Sequence, residues 1–370
     1  MLAFRRMLAV TVDASALDDA RGTAGIGRYV RCLIDNLPAV AGVSVSVARP
    51  RRRPPREAWV VRYANAQPAL LRTAALRRPA LVHATATDPA ALWPLRRQVV
   101  TVHDVVPWTM ERAPGRSATA RYLDWQRGRF RRCAAVIAVS DAVAAEAVEV
   151  LRLDSARVTV VPEGLAAAFT PAASSAESDD QLRRAAGVDG RGYVLWTGSL
   201  RAHDPRKALG VLLDAVAAVR AARPATRLVL AGDRGEEARA VEQQAARLGL
   251  EVALPGYVSD ETLAALVRGA GVVTLPSLHE GFGLPALEAL ACGAPLVASR
   301  AGNLPGLAGD AAVLVEPGDA ASLAAALRSV LDDPALAARL RDAGPRQAAP
   351  YSWRRTAEAT VEVYRRAARR

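Results

Sequence analysis

Short apolar runs alternate with amphipathic segments along the whole chain, and this alternation restricts the fold more than any other feature. Runs such as Gln98–Val102 and Val272–Leu275 are mostly apolar, and segments with helical spacing separate them. Strands buried on both faces give continuous apolar runs, and helical crossovers between them make the strands parallel. The pattern therefore predicts an α/β protein with parallel, doubly wound sheets.

The alternation is interrupted around residues 170–190, where small and polar residues replace the periodic pattern. A chain of 370 residues exceeds the size of one ordinary core and suits two domains. We therefore predict an N-terminal domain over 1–172, a C-terminal domain over 173–352 and a basic helix over 353–370. Both domains are predicted to be Rossmann-like and to face each other across a ligand-binding cleft.

The predicted elements follow from periodicity and from start and stop signals. In the first half the strands are Leu8–Val12, Val43–Val47, Ala80–His83, Gln98–Val102, Ala135–Val139 and Val158–Val161. In the second half they are Tyr193–Thr197, Arg227–Ala231, Val272–Leu275, Pro295–Ser299 and Ala312–Val315. A glycine-rich loop over 22–27 is expected to precede a helix from Arg28 to Leu37, and Ser140 with Asp141 is expected to cap a helix over 142–150.

Cysteine usage and hydropathy favour a cytoplasmic protein. The three cysteines, Cys32, Cys133 and Cys292, are widely spaced and form no Cys-x-x-Cys pair, which argues against disulfides and against a zinc site. No uncharged apolar run approaches the roughly 20 residues that a membrane span needs. The first residues carry charge without the apolar core of a signal peptide, so export is not expected.

Charge is distributed unevenly between the two halves. Residues 1–172 contain 25 arginines and 14 acidic residues, a net charge of +11, whereas residues 173–370 contain 24 basic and 23 acidic residues, a net charge of +1. A basic half indicates an anionic partner, for which an anionic membrane surface, a lipid phosphate and nucleic acid are the candidates. The densest run is Arg49–Arg56, whose prolines predict an exposed loop; a merely solvated arginine-rich loop is the alternative.

The segment Pro276–Gly293 is the richest in chemical groups. A strand is predicted to end before it, and a helix is predicted to begin near Leu284 with Pro285 in its first turn. Free backbone amides and the dipole at a helix N-terminus favour phosphate. Glu280 lies before this helix and Glu288 about one turn inside it, so the two carboxylates are able to hold hydroxyls of one extended ligand. The alternative is that Glu280 caps the helix and Glu288 lies on its surface.

Two further residues point to anion and ligand binding. Lys207 is the single lysine among 49 basic residues, which indicates that a compact ammonium is needed at that position. His103 follows the predicted strand over 98–102, at the carboxyl end where ligands bind in such sheets. Asp104 comes next and is expected either to orient His103 or to cap the following segment.

The motif from Glu280 to Glu288, within EGFGLPALEALACGAPLVAS, closely resembles the signature of retaining, nucleotide-sugar-dependent glycosyltransferases of family 4, which have the GT-B fold. The resemblance extends to TGSLRAHDPRKALGVLLDA (197–215), LVLAGD (228–233), LPGYVSDETLAAL (254–266) and GDAAVLVEPGD (309–319). GIGRYV (25–30), VTVHDVVP (100–107) and VIAVSDAV (136–143) extend it across the first half. The GT-B resemblance implies a C-terminal helix that returns toward the N-terminal domain.

The resemblance implies a role for each site residue. Glu280 would contact the hydroxyls of the transferred sugar, and Glu288 would bind the ribose of the nucleotide. The amides of Phe282, Gly283 and Leu284 would hold the sugar and the diphosphate. The remaining residues are assigned as follows: Arg206 and Lys207 neutralise the leaving diphosphate, His103 contacts the donor sugar near the reacting carbon, and Gly25 and Gly198 lie against the donor.

Two positions depart from the family pattern. Ser199 follows the Thr-Gly pair of residues 197–198 where many members have arginine, so Arg201 or Arg206 would have to replace that cation. Gly306 stands where members commonly carry glutamate, which would alter the helix start near the donor. No Asp-x-Asp pair occurs, so we expect no metal and no cofactor beyond the nucleoside-diphosphate sugar, which is a co-substrate.

The sequence thus predicts a metal-independent, retaining hexosyltransferase, with mannose from GDP-mannose as the first choice of donor. The basic half favours a lipid-linked or phosphorylated glycan acceptor at the inner membrane face, as in polysaccharide biosynthesis, and a small-molecule acceptor remains open. The alternatives are a sugar-nucleotide epimerase or a phosphorylase-like enzyme on the same scaffold. A non-catalytic nucleic-acid-binding protein is less favoured, because aromatic residues for base stacking make up only 5% of the chain.

Overall fold

A computed structural model describes residues 7–18, 22, 25–49, 59–86, 94–109, 118–171 and 176–370. The chain divides into two compact units, each with its own sheet. The first unit comprises Met1–Gly164 together with Tyr351–Arg370, and the second comprises Leu165–Pro350. The division therefore falls at Gly164, ahead of the sequence-based boundary at residue 172.

The first unit is built on a six-stranded parallel sheet in the order β2-β1-β3-β4-β5-β6. Its strands are β1 (Leu8–Asp13), β2 (Val43–Ala48), β3 (Leu81–Ala84), β4 (Gln98–Val102), β5 (Ala135–Ala138) and β6 (Val158–Val160). Its helices are α1 (Gly25–Asn36), α2 (Trp59–Arg77), α3 (Val106–Thr109), α4 (Ala118–Phe130), α5 (Asp141–Val150) and α14 (Trp353–Ala368). Every residue of β3, β4 and β5 is buried, as expected for strands covered on both faces.

Local sequence signals fix several elements of this unit. Ser140 accepts a hydrogen bond from the Val143 amide and caps α5, as predicted. Helix α14 joins the first unit, as the GT-B resemblance implied, and the Thr356 hydroxyl in its first turn donates to the Pro162 carbonyl at 2.8 Å. The apolar face of α14 is buried along its length, so the last element of the chain completes the core of the first unit.

The second unit repeats the architecture with the sheet order β12-β11-β10-β7-β8-β9, again all parallel. Its strands are β7 (Val194–Thr197), β8 (Leu228–Ala231), β9 (Val252–Gly256), β10 (Val272–Leu275), β11 (Leu296–Ser299) and β12 (Ala312–Val315). Its helices are α6 (Ala176–Ala185), α7 (Leu209–Ala222), α8 (Glu236–Arg247), α9 (Asp260–Gly269), α10 (Leu284–Ala291), α11 (Leu304–Ala308), α12 (Ala320–Asp332) and α13 (Pro334–Ala348).

Two sequence-based expectations were wrong in detail. The region predicted as a linker contains α6, whose buried positions include Asp179 and Arg183. Arg268 forms an ion pair with Asp179 at 2.6 Å. The face of α6 that packs inward is therefore charged, and the hydropathy of this helix is that of a loop. Helix α1 also begins at Gly25, which places Gly25 and the buried Gly27 inside the helix instead of in the preceding loop.

Three further observations bear on the sequence analysis. Most of the arginine-rich run lies outside the described residues, but Arg49 is described and forms an ion pair with Asp18 at 2.8 Å. The three cysteines are free thiols. Within the described ranges, no helix has the length and apolar character that crossing a bilayer requires.

Candidate nucleotide-sugar site

The loop between β10 and α10 presents a helix N-terminus, as the sequence predicted. Helix α10 begins at Leu284, Pro285 occupies its first turn, and Gly283 is its N-cap with φ of +98°. That backbone conformation favours glycine, and a Cβ at Gly283 would lie 2.9 Å from the Leu304 side chain. Glycine is therefore required here both by the backbone conformation and by the close approach of α11.

The segment after β11 holds this loop in place. The Asn303 amide donates to the Glu280 carbonyl at 2.9 Å, and the Asn303 side chain donates to the Phe282 carbonyl at 2.9 Å. Gly302 has φ of +52°, and a Cβ there would lie 2.1 Å from the Glu280 carbonyl oxygen. Sequence reasoning missed Gly302 and Asn303, because their contacts join segments that are distant along the chain.

The carboxyl group of Glu280 lies close to two cations. Burial raises the pKa of Glu280, and the charges of Arg206 and Lys207 oppose that rise. The Ser277 side chain also opposes the rise in the pKa of this carboxyl group. The structure thus brings together three residues that the sequence placed in one site, although about 70 residues of chain separate the cations from Glu280.

The ammonium of Lys207 is held by the end of β7. Its Nζ donates to the Ser199 carbonyl at 2.6 Å and lies 5.6 Å from the centre of the Trp196 ring. Burial lowers the pKa of Lys207, while the charges of Asp204 and Glu280 counteract that effect. The lysine is therefore positioned as a partly desolvated point charge beside the α10 loop.

Arg206 is held by its own turn. Asp204 accepts from the Arg206 amide at 3.2 Å and from its guanidinium at 2.9 Å and 2.8 Å. The Arg206 carbonyl accepts from the Leu278 amide at 2.6 Å, which joins this turn to the loop that carries Glu280. Arg201, in contrast, pairs with Asp233 at 3.0 Å. Of the two arginines, Arg206 is the one whose charge acts on Glu280.

Gly198 and Glu288 also lie in the second unit. A Cβ at Gly198 would approach the Trp196 ring to 2.6 Å, and a Cβ at Gly232 would meet the Gly198 carbonyl at 1.6 Å. The backbone at the carboxyl ends of β7 and β8 is therefore packed without room for side chains. Glu288 is only 3% exposed and lies one turn inside α10, which excludes the alternative of a solvated surface residue.

His103 lies in the first unit, at the carboxyl end of β4. Its Nε2 donates to the Thr85 carbonyl at 2.9 Å, and its Nδ1 lies 3.2 Å from the Glu163 carboxyl group. The Tyr29 ring meets the imidazole edge-on, with 4.7 Å between ring centres. Asp104 accepts from the Val106 amide at 3.1 Å, so it caps the segment that follows, one of its two predicted roles.

A buried polar network underlies this histidine, and sequence reasoning did not identify it. His83 Nδ1 lies 2.6 Å from the Tyr364 hydroxyl, and His83 Nε2 lies 2.8 Å from the Thr101 hydroxyl. Thr101 in turn lies 2.9 Å from the Tyr29 hydroxyl. The C-terminal helix is thereby connected through hydrogen bonds to the residues that pack against His103.

The described part of the chain holds no group of three or more histidine, cysteine, aspartate or glutamate side chains arranged to bind a metal ion. The side chain of His203 is 68% exposed and contacts Glu237 at 2.8 Å. Gly25 opens α1, and two of the three residues before it lie outside the described part. The role of Gly25 toward a ligand stays a prediction.

The two parallel sheets and the glycine turn that opens α10 define a protein of the GT-B class. The model of the family "Glycosyltransferase Family 4" matches residues 23–169, and the model "Glycosyl transferases group 1" matches residues 191–333. The O-antigen chain mannosyltransferase B of Escherichia coli is 30% identical over 275 residues, which cover 73% of this chain and 71% of that protein. The chain belongs to glycosyltransferase family 4.

Two further similarities complete the comparison. The MMP alpha-(1->4)-mannosyltransferase of Mycolicibacterium hassiacum is 36% identical over 284 residues, 73% of this chain and 65% of that protein. Sucrose-phosphate synthase from Thermosynechococcus elongatus superposes with a TM-score of 0.78 at 24% identity, covering 96% of this chain and 98% of that one. The chain spans 50% to 65% of the length of the first three curated relatives.

Proposed function

We propose that this protein transfers a hexosyl group, with mannose as the first choice, from a nucleoside diphosphate to an acceptor hydroxyl with retention of configuration. The observation that carries the proposal is the cluster of Glu280, Arg206 and Lys207 beside the N-terminus of α10. A carboxylate that accepts from sugar hydroxyls and two cations that face a diphosphate suit the two ends of such a donor.

Each part of the donor has a group of matching chemistry in the second unit. The free amides at the start of α10 suit the diphosphate, because the helix dipole adds to their hydrogen bonds. Lys207 and Arg206 supply fixed positive charge to the leaving diphosphate, which the reaction requires when no metal takes part. The buried carboxyl of Glu288 suits the two hydroxyls of a ribose.

In the proposed reaction the bond between the sugar carbon and the phosphate oxygen breaks first, and its electron pair leaves with the diphosphate. The sugar then carries an oxocarbenium-like charge. The acceptor hydroxyl attacks from the face that the diphosphate has left, and a phosphate oxygen takes the hydroxyl proton. Lys207 and Arg206 stabilise the charge that grows on the leaving group, where fixed charges have their largest effect.

Two mannosyltransferases among the relatives support mannose as the transferred sugar and GDP-mannose as the donor. The basic first unit supports an acceptor that is lipid-linked or phosphorylated, and peripheral association with the inner membrane face belongs to the same proposal. Membership of a transferase family makes the epimerase, phosphorylase and nucleic-acid alternatives less favourable.

Thermal-shift measurements against GDP-, UDP-, ADP- and dTDP-sugars test the proposal. A donor at 100 times its dissociation constant stabilises the folded protein by about 2.7 kcal/mol. We expect GDP-mannose to give the largest shift and Glu288→Gln to abolish it. The matched control is Glu316→Gln, which changes an exposed glutamate of the same unit and should leave the shift unchanged.

The stereochemical part requires a product. Proton NMR of the mannoside formed from GDP-α-mannose should show the α configuration, and a β product would refute retention. Equal shifts for all four nucleotide sugars, or an unchanged shift in Glu288→Gln, would count against the donor site.

A further inference from the structure

The edge of the first sheet that carries His103 also holds a buried carboxyl group, that of Glu163. His103 directly follows β4, and Glu163 comes three residues after the end of β6. The two side chains are 8% and 5% exposed, and 3.2 Å separates His103 Nδ1 from a Glu163 carboxyl oxygen. The proposed reaction gives no part to Glu163, so the purpose of this buried pair needs an explanation.

The first turn of α14 holds the backbone on both sides of Glu163. The Thr356 hydroxyl donates to the Pro162 carbonyl at 2.8 Å. A Cβ on Gly164 would lie 2.1 Å from the Trp353 nitrogen, so the chain passes α14 at a distance that requires glycine. The carboxyl group of Glu163 therefore extends from a fixed backbone, as a residue that orients another side chain requires.

Both ring nitrogens of His103 face oxygen atoms that accept hydrogen bonds. Nε2 lies 2.9 Å from the Thr85 carbonyl, a group without a proton to donate, so Nε2 carries a hydrogen. Nδ1 faces the Glu163 carboxyl group, and a hydrogen bond between them needs one further proton. Imidazole is the more basic of the two groups. The contacts are therefore satisfied by an imidazolium, with a proton on each ring nitrogen, beside an ionised carboxylate.

His83 provides an internal comparison, because its partners differ in kind. Its Nδ1 lies 2.6 Å from the Tyr364 hydroxyl, and its Nε2 lies 2.8 Å from the Thr101 hydroxyl. A hydroxyl both donates and accepts, so a neutral ring satisfies both contacts. Burial, with a smaller contribution from the charge of His103, lowers the pKa of His83 to about 3. The two histidines thus differ in charge, although β3 and β4 are neighbours in the sheet.

Further ionisable groups on the elements around the His103 ring are Tyr29, His83, Asp104 and Asp13. Burial raises the pKa of Tyr29 and lowers that of His83, so both are neutral at physiological pH. Asp104 accepts from a backbone amide two residues further along the chain, and Asp13, at the end of β1, does the same. Glu163 is the carboxylate in contact with a ring nitrogen, and it supplies the counter-charge of the imidazolium.

Stability alone does not account for this pair. Charges lose their hydration when they are buried, and apolar side chains of the same size often stabilise a protein more than a buried ion pair does. Buried apolar side chains occupy neighbouring positions in the chain, at Val102, Val105 and Val161. A charged pair among them, at the edge where sheets of this kind bind ligands, indicates a role in the reaction.

We propose that Glu163 is a positioning residue for the transfer reaction. It fixes the direction of the His103 ring and keeps it protonated on both nitrogens, so that His103 does not take the proton of the acceptor hydroxyl. This inference deepens the proposed function and rests on it, because that function assigns the hydroxyl proton to a phosphate oxygen. A neutral ring at this edge would offer the proton a competing acceptor.

Nitrogen NMR of the ligand-free protein tests the charge of His103. The chain has four histidines, so ¹⁵N-histidine labelling gives few signals, and substitution of each histidine in turn assigns them. At pH 8 we expect both His103 nitrogens to give the signals of an imidazolium. Glu163→Gln, which keeps the size of the side chain and removes its charge, should convert them to those of a neutral ring. The matched control is Glu149→Gln, at an exposed glutamate of α5, which should leave them unchanged.

Release of GDP from GDP-mannose, with water as the acceptor, tests the effect on the reaction. A histidine without a charged partner loses its second proton near pH 6.5, so Glu163→Gln should lower kcat about 10-fold at pH 8 and less than about twofold at pH 5.5. KM should not change, because the groups proposed to bind the donor lie in the second unit. Glu163→Gln should cause no further loss in a protein that already carries His103→Gln, since Glu163 acts through His103.

The signals of a neutral His103 ring in the wild type at pH 8 would overturn the inference, whether or not any Glu163 variant folds. Equal losses of kcat at both pH values, or losses that add in the double variant, would show a purely structural role and also overturn it. A wild-type protein that turns over no nucleotide sugar but gives the imidazolium signals would refute the proposed function and support the control of His103 by Glu163. The two failures are therefore distinguishable.

Discussion

Two histidines of the first unit show how the immediate surroundings of a residue determine its chemistry. His103 lies at the strand end, with a carboxyl group on one ring nitrogen and a carbonyl on the other. His83 lies inside the sheet between the hydroxyls of Tyr364 and Thr101. Burial, with a smaller contribution from the nearby His103, lowers the pKa of His83 to about 3. His83 is therefore a neutral, structural residue throughout the physiological pH range.

The low pKa of His83 predicts a loss of stability in mild acid. Its pKa in the unfolded chain is about 6.5, so below that pH the unfolded state binds a proton that the folded state does not. This group should reduce the free energy of unfolding by about 2 kcal/mol between pH 7 and pH 5. Denaturant titrations at several pH values should show this slope in the wild type and its loss in His83→Gln. His203→Gln, a change at an exposed histidine, should keep the wild-type slope.

The arginine missing at Ser199 leads to a second prediction at this scale. Arg206 and Lys207 act on Glu280, whereas Arg201 is paired with Asp233. We expect Lys207→Gln and Arg206→Gln each to lower the transfer rate about 100-fold or more, because each removes a cation that stabilises the charge on the leaving group. Arg201→Gln should change the rate less than threefold. Steady-state kinetics with GDP-mannose measures this, and a larger loss from Arg201→Gln would assign the second phosphate cation to Arg201.

Among the elements, the turn between β11 and α11 supports the loop before α10 through backbone contacts. Gly302 lies against the Glu280 carbonyl, and Asn303 hydrogen-bonds to the Glu280 and Phe282 carbonyls. The side chain of Asn303 therefore stabilises the loop before α10, and it makes no hydrogen bond that caps α11. Helix α11 and the loop before α10 are consequently joined into one structural unit.

This packing predicts opposite effects for two glycine substitutions four residues apart. Gly302→Ala places a methyl group against the Glu280 carbonyl at a residue with positive φ. We therefore expect the free energy of unfolding to fall by more than about 2 kcal/mol, and the thermal shift with the nucleotide sugar to be lost. Gly306→Ala adds a methyl group inside α11 whose closest contact is 3.7 Å, so stability should rise by about 0.5 kcal/mol. Paired chemical denaturation of the two variants measures both. Equal effects would show that Gly302 does not support the loop.

The sequence predicted the elements well where their signals are local. Leu284 and Pro285 start α10 as expected, and Ser140 caps α5, because proline and serine act within one turn of their own positions. Helix α6 was missed because its inward face contains Asp179, whose partner Arg268 is distant in the chain. Strand β9 was also not predicted, and all five of its residues are only half-buried, unlike those of the central strands.

The candidate site shows the same difference between local signals, which the sequence reveals, and long-range contacts, which it does not. Glu280, Glu288 and Lys207 were identified from residue type and motif, and the structure places Lys207 beside Glu280. The contact between His103 and Glu163 joins residues 60 positions apart, and periodicity carries no signal for such a pair. Contacts of this kind depend on strand order, which the sequence alone did not give.

At the scale of the whole molecule, the chain leaves the first unit at Gly164 and returns to it at Tyr351. The second unit is therefore continuous in sequence, and its sheet and core are formed from its own residues. The first unit is discontinuous, because α14 buries Trp353, Val361 and Tyr364 within it. The two units should thus differ in their ability to fold from a single stretch of chain.

This difference predicts the behaviour of two fragments. Residues 165–350 should fold alone with a cooperative thermal transition, because all the strands and core side chains described for that unit come from within the range. Residues 1–164 should not, since without α14 the apolar surface that α14 covers is exposed and His83 loses the Tyr364 hydroxyl. Circular dichroism melts and binding of a hydrophobic dye should distinguish the two fragments. A peptide of residues 351–370 should restore cooperative folding to the 1–164 fragment, and the same peptide carrying Tyr364→Ala should restore it less. If 1–164 melts cooperatively by itself, α14 is an accessory to the first unit and not part of its core.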